Sequence, residues 1–431
     1  MSKKSSNTEI DVLIVGAGIV GQTLALALAQ LTQLTQHQYD KAELPRNNAS
    51  ELNMSQPNVS QLNMSELSIV VLDSSKDLPL SESTVDVFSA RVSAISLASQ
   101  KTFESLKVWS SVSRKQAYSN MQVWEQDAFG SIDFAAQDIN QACLGHIVEN
   151  EQLSHSLYLA CTEHKNVQHV LGHAIEQIEK CDAGYQVRLD NGDILITKLL
   201  VGADGAHSFV RAQMGFTQTF WDYDHCAIVA NVKTQEPHLQ TAYQAFSPNG
   251  PLAFLPLPDS HQCSIVWSQD TNVAKTLLDA SEQEFCKALA VAIDTRLGTC
   301  TLSTNRTAFP LRMRYSRQWV DESVVLVGDA AHTIHPLAGQ GANLGIADAV
   351  ALADNIANSI ANNKPFYSKA ELRAYERFRK AEAQKVIATM EGFKQLFSGE
   401  SATKKILRNI GLSAANRFNP IKQFFIDQAS G

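Results

Sequence analysis

Near the amino terminus an apolar run, Ile10–Val15, meets Gly16-x-Gly18-x-x-Gly21 and then the stretch "QTLALALAQL". Apolar, β-branched residues, a glycine turn and a helix-forming segment in that order specify strand, tight turn and helix. The glycines allow a sharp turn, close approach of a ligand to backbone, and close packing of helix on strand. The exposed N–H groups of the helix start then face a pyrophosphate. A purely structural glycine turn has the same spacing; the strand before it and the helix after it favour dinucleotide binding.

That unit needs an acid at the end of its next strand, to accept hydrogen bonds from ribose hydroxyls. The next strand-like run, "LSIVVLD", ends in Asp73, 57 residues beyond Gly16. The usual spacing is about 20. The excess falls in 34–66, a stretch rich in Asn, Ser and Gln that contains "LNMS" twice. Such a composition buries little apolar surface, so 34–66 is expected to be a flexible surface insertion.

Further along, "MQVWEQDAFGSIDF" (Met121–Phe134) has the alternation of a hairpin, and "ENEQLSHSLYLACTEH" that of a helix. "GYQVRLDNGDILITKLLVGADG" carries an Asn-Gly turn signal between two strands. From Phe216 to about Arg306 short alternating strands dominate, pointing to a mainly antiparallel sheet inserted into an α/β unit. After Val324–Val327 the chain reads as helical to its end.

Two more strand ends carry special chemistry. In "VGADGAHSFVR" (Val201–Arg211) a strand ends at Asp204-Gly205 and a helix is expected near Ser208. Asp204 there is a ligand contact or an ordinary helix N-cap. In "LVGDAAHTIHPLAGQGAN" (Leu326–Asn343) Gly328-Asp329 ends a strand, and Pro336, Gly339, Gln340, Gly341 and Asn343 shape a turn into "LGIADAVALADNI". N–H groups at that helix start suit an electron-rich ring, and Asp329 suits a polyol chain. His332 and His335 have no third ligand nearby, so they read as hydrogen-bonding loop residues, and no metal is expected.

Composition removes several classes. The 431 residues are 44% hydrophobic and 19% charged, as in globular domains, and the net charge of -8 argues against nucleic acid as a partner. The first apolar run reads as a strand rather than a signal peptide, and no apolar run has the length of a membrane span. The seven cysteines are scattered without a C-x-x-C, as in reduced, buried thiols of a cytoplasmic protein.

The three motifs in this order, with a β-rich segment between the second and third, resemble the aromatic flavoprotein monooxygenases of the p-hydroxybenzoate hydroxylase fold. "RVSAISLAS" (Arg91–Ser99), "GHIVEN" (Gly145–Asn150), "FWDYDH" (Phe220–His225), "AFLPL" (Ala253–Leu257), "CSIVWS" (Cys263–Ser268) and "GDAAHTIHPLAGQGANLG" (Gly328–Gly345) look like the ubiquinone-biosynthesis hydroxylases. The late "GFKQLFSG…KKILRNIGL" is similar to the bacterial members that hydroxylate C5 of 2-polyprenylphenol.

The resemblance implies an α/β fold: a Rossmann-like FAD-binding domain (8–115, 146–215 and 306–365), an inserted, mainly antiparallel β substrate domain (116–145 and 216–305), and a helical C-terminal region (366–431). It implies that Gly16, Gly18, Gly21 and Asp73 serve the ADP half of FAD, that Arg91 approaches the pyrophosphate, and that Asn150 and Asp204 reach the dinucleotide. Gly328 and Asp329 would hold the ribityl chain, and Gly339, Gln340, Gly341 and Asn343 would line the isoalloxazine.

The implied reaction reduces FAD with NAD(P)H or another donor, forms a C4a-hydroperoxyflavin with O₂, and hydroxylates the ring of a polyprenylated phenol. No catalytic base is assigned; the active-site loop is Pro336, Leu337 and Gly339. Phe246, Phe254, Leu255, Pro256 and Leu337 are candidates for the substrate wall, with the sheet's own core as the alternative for each.

Stretch 392–431 carries six Lys/Arg and two acids among Phe393, Phe397, Phe424 and Phe425, suiting peripheral contact with an inner membrane surface or packing on its own domain. A multi-protein ubiquinone-biosynthesis complex fits such a substrate, and a homo-oligomer is left open. Three other functions stay open: hydroxylation at another ring carbon, reduction of prenyl double bonds, and a non-catalytic, FAD-bound lipid-binding subunit.

Overall fold

The computed structural model describes residues 7–42, 67–76, 88–126, 130–333 and 340–397. Five parallel strands form the centre of an eight-stranded sheet, in the order Val324–Leu326, Ile194–Gly202, Asn7–Val15, Ile69–Asp73, Val167–Leu171. Val12–Val15, Ile69–Leu72, Leu199–Val201 and Val324–Val327 are unbroken buried apolar runs, as parallel strands covered on both faces require. Helices Ile19–Ala42, Asn150–Thr162 and Gln340–Ala361 supply cover. The Asn-Gly turn lies where expected: Gly192, at φ +87°, joins strand Gly184–Leu189 to its antiparallel neighbour Ile194–Gly202.

A second, nine-stranded sheet holds the hairpin Asn120–Glu125/Ser131–Ala135 and the long strands Gln218–Thr234, Thr241–Ser247, Gly250–Pro256 and Gln262–Asp270. Its pairings are antiparallel except that between Thr241–Ser247 and Asn120–Glu125. Thr307–Ser316, which the sequence groups with the first unit, pairs with Gln218–Thr234 and extends this sheet, as does His332–Thr333. Helices Thr271–Asp279 and Glu282–Ala292 cover one face, over a core that includes Trp124, Phe254, Ile265, Trp267 and Phe285. A three-stranded antiparallel sheet, Val92–Ser96, Gly145–Glu149 and Lys115–Tyr118, completes the strand architecture.

The first helix continues to Ala42, into the stretch set aside as an insertion. Gln, Leu, Lys and Ala are adequate helix formers, so a helix already nucleated at Ile19 propagates through them. The remainder, 43–66, lies outside the described residues, as does the part of the basic aromatic stretch after Phe397.

Candidate functional site

Three turns leave the carboxyl ends of neighbouring parallel strands: Gly16–Gly18, Ala203–Ser208 and Gly328–Ala331. They border a cavity of about 930 Å³ whose far side is formed by Phe309–Arg312 of the second sheet. A crevice beyond the carboxyl ends of parallel strands is where open α/β sheets take ligands.

At the first turn, Gly16 adopts φ +111°, and a Cβ there would fall 2.3 Å from the Ala203 carbonyl oxygen. A Cβ on Gly21 would fall 2.0 Å from the Gly16 carbonyl oxygen, so only glycine lets this helix sit on the turn. Gly21 thus acts from behind the cavity wall. Gly18 lines the cavity, and a Cβ on it would have no protein atom within 4 Å. Asp73 lines the cavity beside it, oriented by the Ala17 N–H (2.7 Å to Oδ2) and the Ser75 N–H (2.8 Å to Oδ1).

Asp204 is not the N-cap, which is Ser208, but it supports the same helix start and faces the cavity. Its Oδ2 accepts from the N–H groups of Phe209 (2.7 Å) and Val210 (3.1 Å), beside the Ser208 N-cap of helix Phe209–Gln213. Its Oδ1 is buried with no protein partner, and the residue lines the cavity. Asn150 Oδ1, on another wall, is likewise buried and unpartnered. Buried polar atoms are normally satisfied, so two orphans facing one cavity suit a polar ligand.

Arg91 reaches the same space, with its guanidinium 5.2 Å from the centre of the Phe309 ring. The strap before it is anchored to the second sheet: Asn231 Nδ2 donates to the carbonyls of Phe88 (2.7 Å) and Ser89 (3.2 Å).

Asp329 faces the cavity at the third turn, just after Gly328, whose φ is +59°. Its carboxylate is open on the cavity side yet lies deep in the protein. Burial raises its pKa, His332 opposes that rise, and the Asp348 charge adds to it. Gly328 itself stays behind the wall, packed near Val20.

Gly341 and its neighbour Ala342 line the cavity, but the Asn343 side chain is committed elsewhere. Its Nδ2 donates to the Ala94 carbonyl (2.8 Å) and its Oδ1 accepts from the Ser96 N–H (3.0 Å), fastening helix Gln340–Ala361 to strand Val92–Ser96. Expected at the isoalloxazine, Asn343 does not line the cavity, and its amide makes this structural link instead. Gln340 opens the helix; Pro336, Leu337, Gly339 and His335 lie outside the described residues.

The substrate-wall expectation needs correction at Phe254. Phe254 is 1% exposed, in the core beneath the two covering helices. Phe246 and Pro256 are buried and Leu255 half-buried, and none of them lines the cavity. Strand alternation decides this for Phe254, whose cross-strand partner Ile265 shares the helix-covered face; Phe246 and Leu255 alternate to the opposite face.

Several residues that shape the site escape a motif search. Arg312 lines the cavity, and Arg314 places Nη2 3.5 Å from His207 Nε2. Arg211 donates to the carbonyls of Ala330 (2.8 Å) and Ala206 (2.9 Å), joining two of the turns. His332 is hydrogen-bonded as expected, to Asp348 at 2.6 Å, but from the short strand His332–Thr333 rather than from a loop. An acid interrupting the apolar stripe of Ile346, Ala349 and Leu352 was the available signal for Asp348.

Residues 88–390 match the family model described as FAD binding domain. The chain is 31% identical to the 3-demethoxyubiquinol 3-hydroxylase of Escherichia coli (strain K12), over 99% of this chain and 100% of that protein. It is 29% identical to the mitochondrial ubiquinone biosynthesis monooxygenase COQ6 of Homo sapiens, over 100% of this chain and 94% of the other. Among solved structures, p-nitrophenol 4-monooxygenase from Pseudomonas putida DLL-E4 superposes with a TM-score of 0.75 at 17% identity, covering 98% of this chain and 99% of its own. Aklavinone-11 hydroxylase, in a ternary complex with FAD and aklavinone, gives 0.64 at 18% identity, with 89% and 68% coverage. These structures share the fold.

Proposed function

The chain belongs to the FAD-binding-domain family of flavin-dependent monooxygenases, and from that membership we propose that it hydroxylates the ring of a polyprenylated phenol in ubiquinone biosynthesis, at C5 of 2-polyprenylphenol. The observation that carries the reading is the 930 Å³ cavity with two orphaned buried oxygens, Asp204 Oδ1 and Asn150 Oδ1, on its wall. FAD fits: the space left open at Gly18, the acid at Asp73 and the acid at Asp329 match a diphosphate, a ribose and a ribityl chain in turn.

When bound, FAD supplies dioxygen activation after reduction by a donor such as NAD(P)H. The protein's residues do the rest. The Gly18–Ile19 backbone, at the start of the helix, offers N–H groups to the diphosphate, and Arg91 offers charge. Asp73 and Asp329 accept hydroxyl hydrogen bonds, which orients the ring system. The second sheet lines the cavity through Phe309–Arg312 and, with the flavin seated, would help to keep water from the reacting oxygen. The active-site role read from the sequence for Pro336, Leu337 and Gly339 is part of this proposal; Thr333 and Gly341, on either side of them in the chain, line the cavity.

The name of the Escherichia coli relative favours one second reading, hydroxylation of a later, demethoxylated quinol intermediate at another ring carbon. A strain lacking the gene, analysed by mass spectrometry of its accumulated quinone precursors, separates the two. A precursor unsubstituted at C5 supports the proposal, and a demethoxyquinol supports the second reading. A normal quinone pool overturns both.

No described helix is long and apolar enough to cross a membrane. The proposed membrane contact is peripheral, through the basic 392–431 stretch. Removal of 398–431 is expected to abolish co-flotation with anionic liposomes; unchanged flotation removes this part of the proposal.

A further inference from the structure

The Gly328–Asp329 turn is held from behind by residues that do not line the cavity. Asp348 is fully buried on helix Gln340–Ala361. Its Oδ2 accepts from the Gly328 N–H (3.0 Å) and from His332 Nε2 (2.6 Å), and its Oδ1 accepts from Arg379 Nε (2.7 Å). Arg379 belongs to the C-terminal helix Lys369–Phe397, is 5% exposed, and donates a further bond to the Leu344 carbonyl (3.3 Å). The His332 ring packs 4.9 Å from the ring of buried Trp319.

A buried ion pair is a poor source of stability, because desolvation offsets most of its attraction and apolar residues of similar volume often serve as well. What this pair supplies is geometry. Asp348 grips the N–H of the residue whose left-handed backbone aims Asp329 into the cavity, and Arg379 fixes which way the Asp348 carboxylate points. His332, directly after the turn Gly328–Ala331, is pinned by the same oxygen.

We propose that Asp348 and Arg379 are positioning residues for the flavin. They set the turn that presents Asp329 to the ribityl chain, and so make FAD affinity depend on the seating of the C-terminal helix. A cofactor and a helix that bias one arrangement of the same loop are coupled reciprocally: FAD tightens the helix, and loosening the helix weakens FAD. The inference rests on FAD occupying the cavity. Its test reads flavin binding rather than hydroxylation, so a wrong substrate assignment leaves it standing.

The full-length protein is stripped of FAD and titrated with FAD while flavin fluorescence, the visible band shape and the apoprotein melt are followed. Asp348→Asn turns an amide hydrogen toward either Arg379 or Gly328, both already donors; its FAD Kd is expected to rise at least ~10-fold, with a changed band shape. Arg379→Met is expected to raise Kd by about 3- to 10-fold, and Arg379→Lys, which restores charge and one donor, to return it to within about 3-fold of the parent. A folded Asp348→Asn protein that melts earlier yet binds FAD with the parental Kd and spectrum overturns the proposal, since the pair is then only structural. If Asp348→Asn yields no folded protein, Arg379→Met decides by the same titration, and a parental Kd there overturns the link through the C-terminal helix.

Discussion

Arg211 and Ala330, 119 positions apart in the chain, meet across a 2.8 Å hydrogen bond from guanidinium to carbonyl. Because the same guanidinium also donates to the Ala206 carbonyl, one buried cation holds two of the three cofactor turns at fixed separation. Arg211→Met leaves both carbonyls without this donor. It is expected to cost the apoprotein about 2–4 kcal/mol in denaturant unfolding, and Arg211→Lys less, since one bond can re-form. Unfolding midpoints equal to the parent's would show that the turns are held by other contacts.

The glycines of the first turn should separate by consequence. Gly18→Ala adds a methyl group that meets no protein atom within 4 Å, so apoprotein stability should stay within about 0.5 kcal/mol while FAD affinity falls. Gly21→Ala drives a methyl into the Gly16 carbonyl and is expected to cost roughly 1–3 kcal/mol or more. Paired measurements of melting and flavin content test this; a Gly18→Ala protein that retains FAD at parental affinity would show that the ligand does not approach there.

Burial, foremost, raises the pKa of Asp329, so the empty fold disfavours its charged form. A carboxyl with a raised folded-state pKa favours its neutral form, so Asp329→Asn should leave the apoprotein as stable as the parent at neutral pH, or more so. The FAD-bound protein should suffer instead, with Kd rising roughly 10- to 100-fold as charged acceptor bonds to hydroxyls are lost. Fluorescence titration with FAD and thermal melting of the apoprotein read the two effects separately.

His169, with Nε2 3.0 Å from Gln22 Oε1 and its ring against Tyr158, is pushed by burial from 6.5 down to about 4. Between these values the unfolded chain binds a proton that the folded protein refuses, so stability rises with pH there. The contribution is complete above pH 6.5 and is lost as pH falls toward 4. A His169→Gln variant should show a flatter stability profile across that interval by denaturant unfolding, and an unchanged slope would assign the acid sensitivity to other groups.

Backbone demands are local, and they were legible in the chain. Gly16, Gly21 and Gly328 stand where a left-handed residue or a missing Cβ is required by two or three neighbours, and Val12–Val15 and Leu199–Val201 announce buried parallel strands by composition alone. The order of the three turns, the hairpin around Gly130 and the helix start after Ser208 follow from the same short-range rules. Side-chain direction across elements is different. Nothing near Asn343 says that its amide will be used by Ala94 and Ser96, nothing near Phe254 says which face of the second sheet the covering helices take, and nothing near Thr307–Ser316 assigns that strand to the second sheet. Asp348 finds Arg379, and Arg211 finds Ala330, only because packed sheets and helices bring distant segments within 3 Å. Local sterics therefore chose the turns, and long-range packing chose which polar groups the cofactor meets and which ones hold the turns in place.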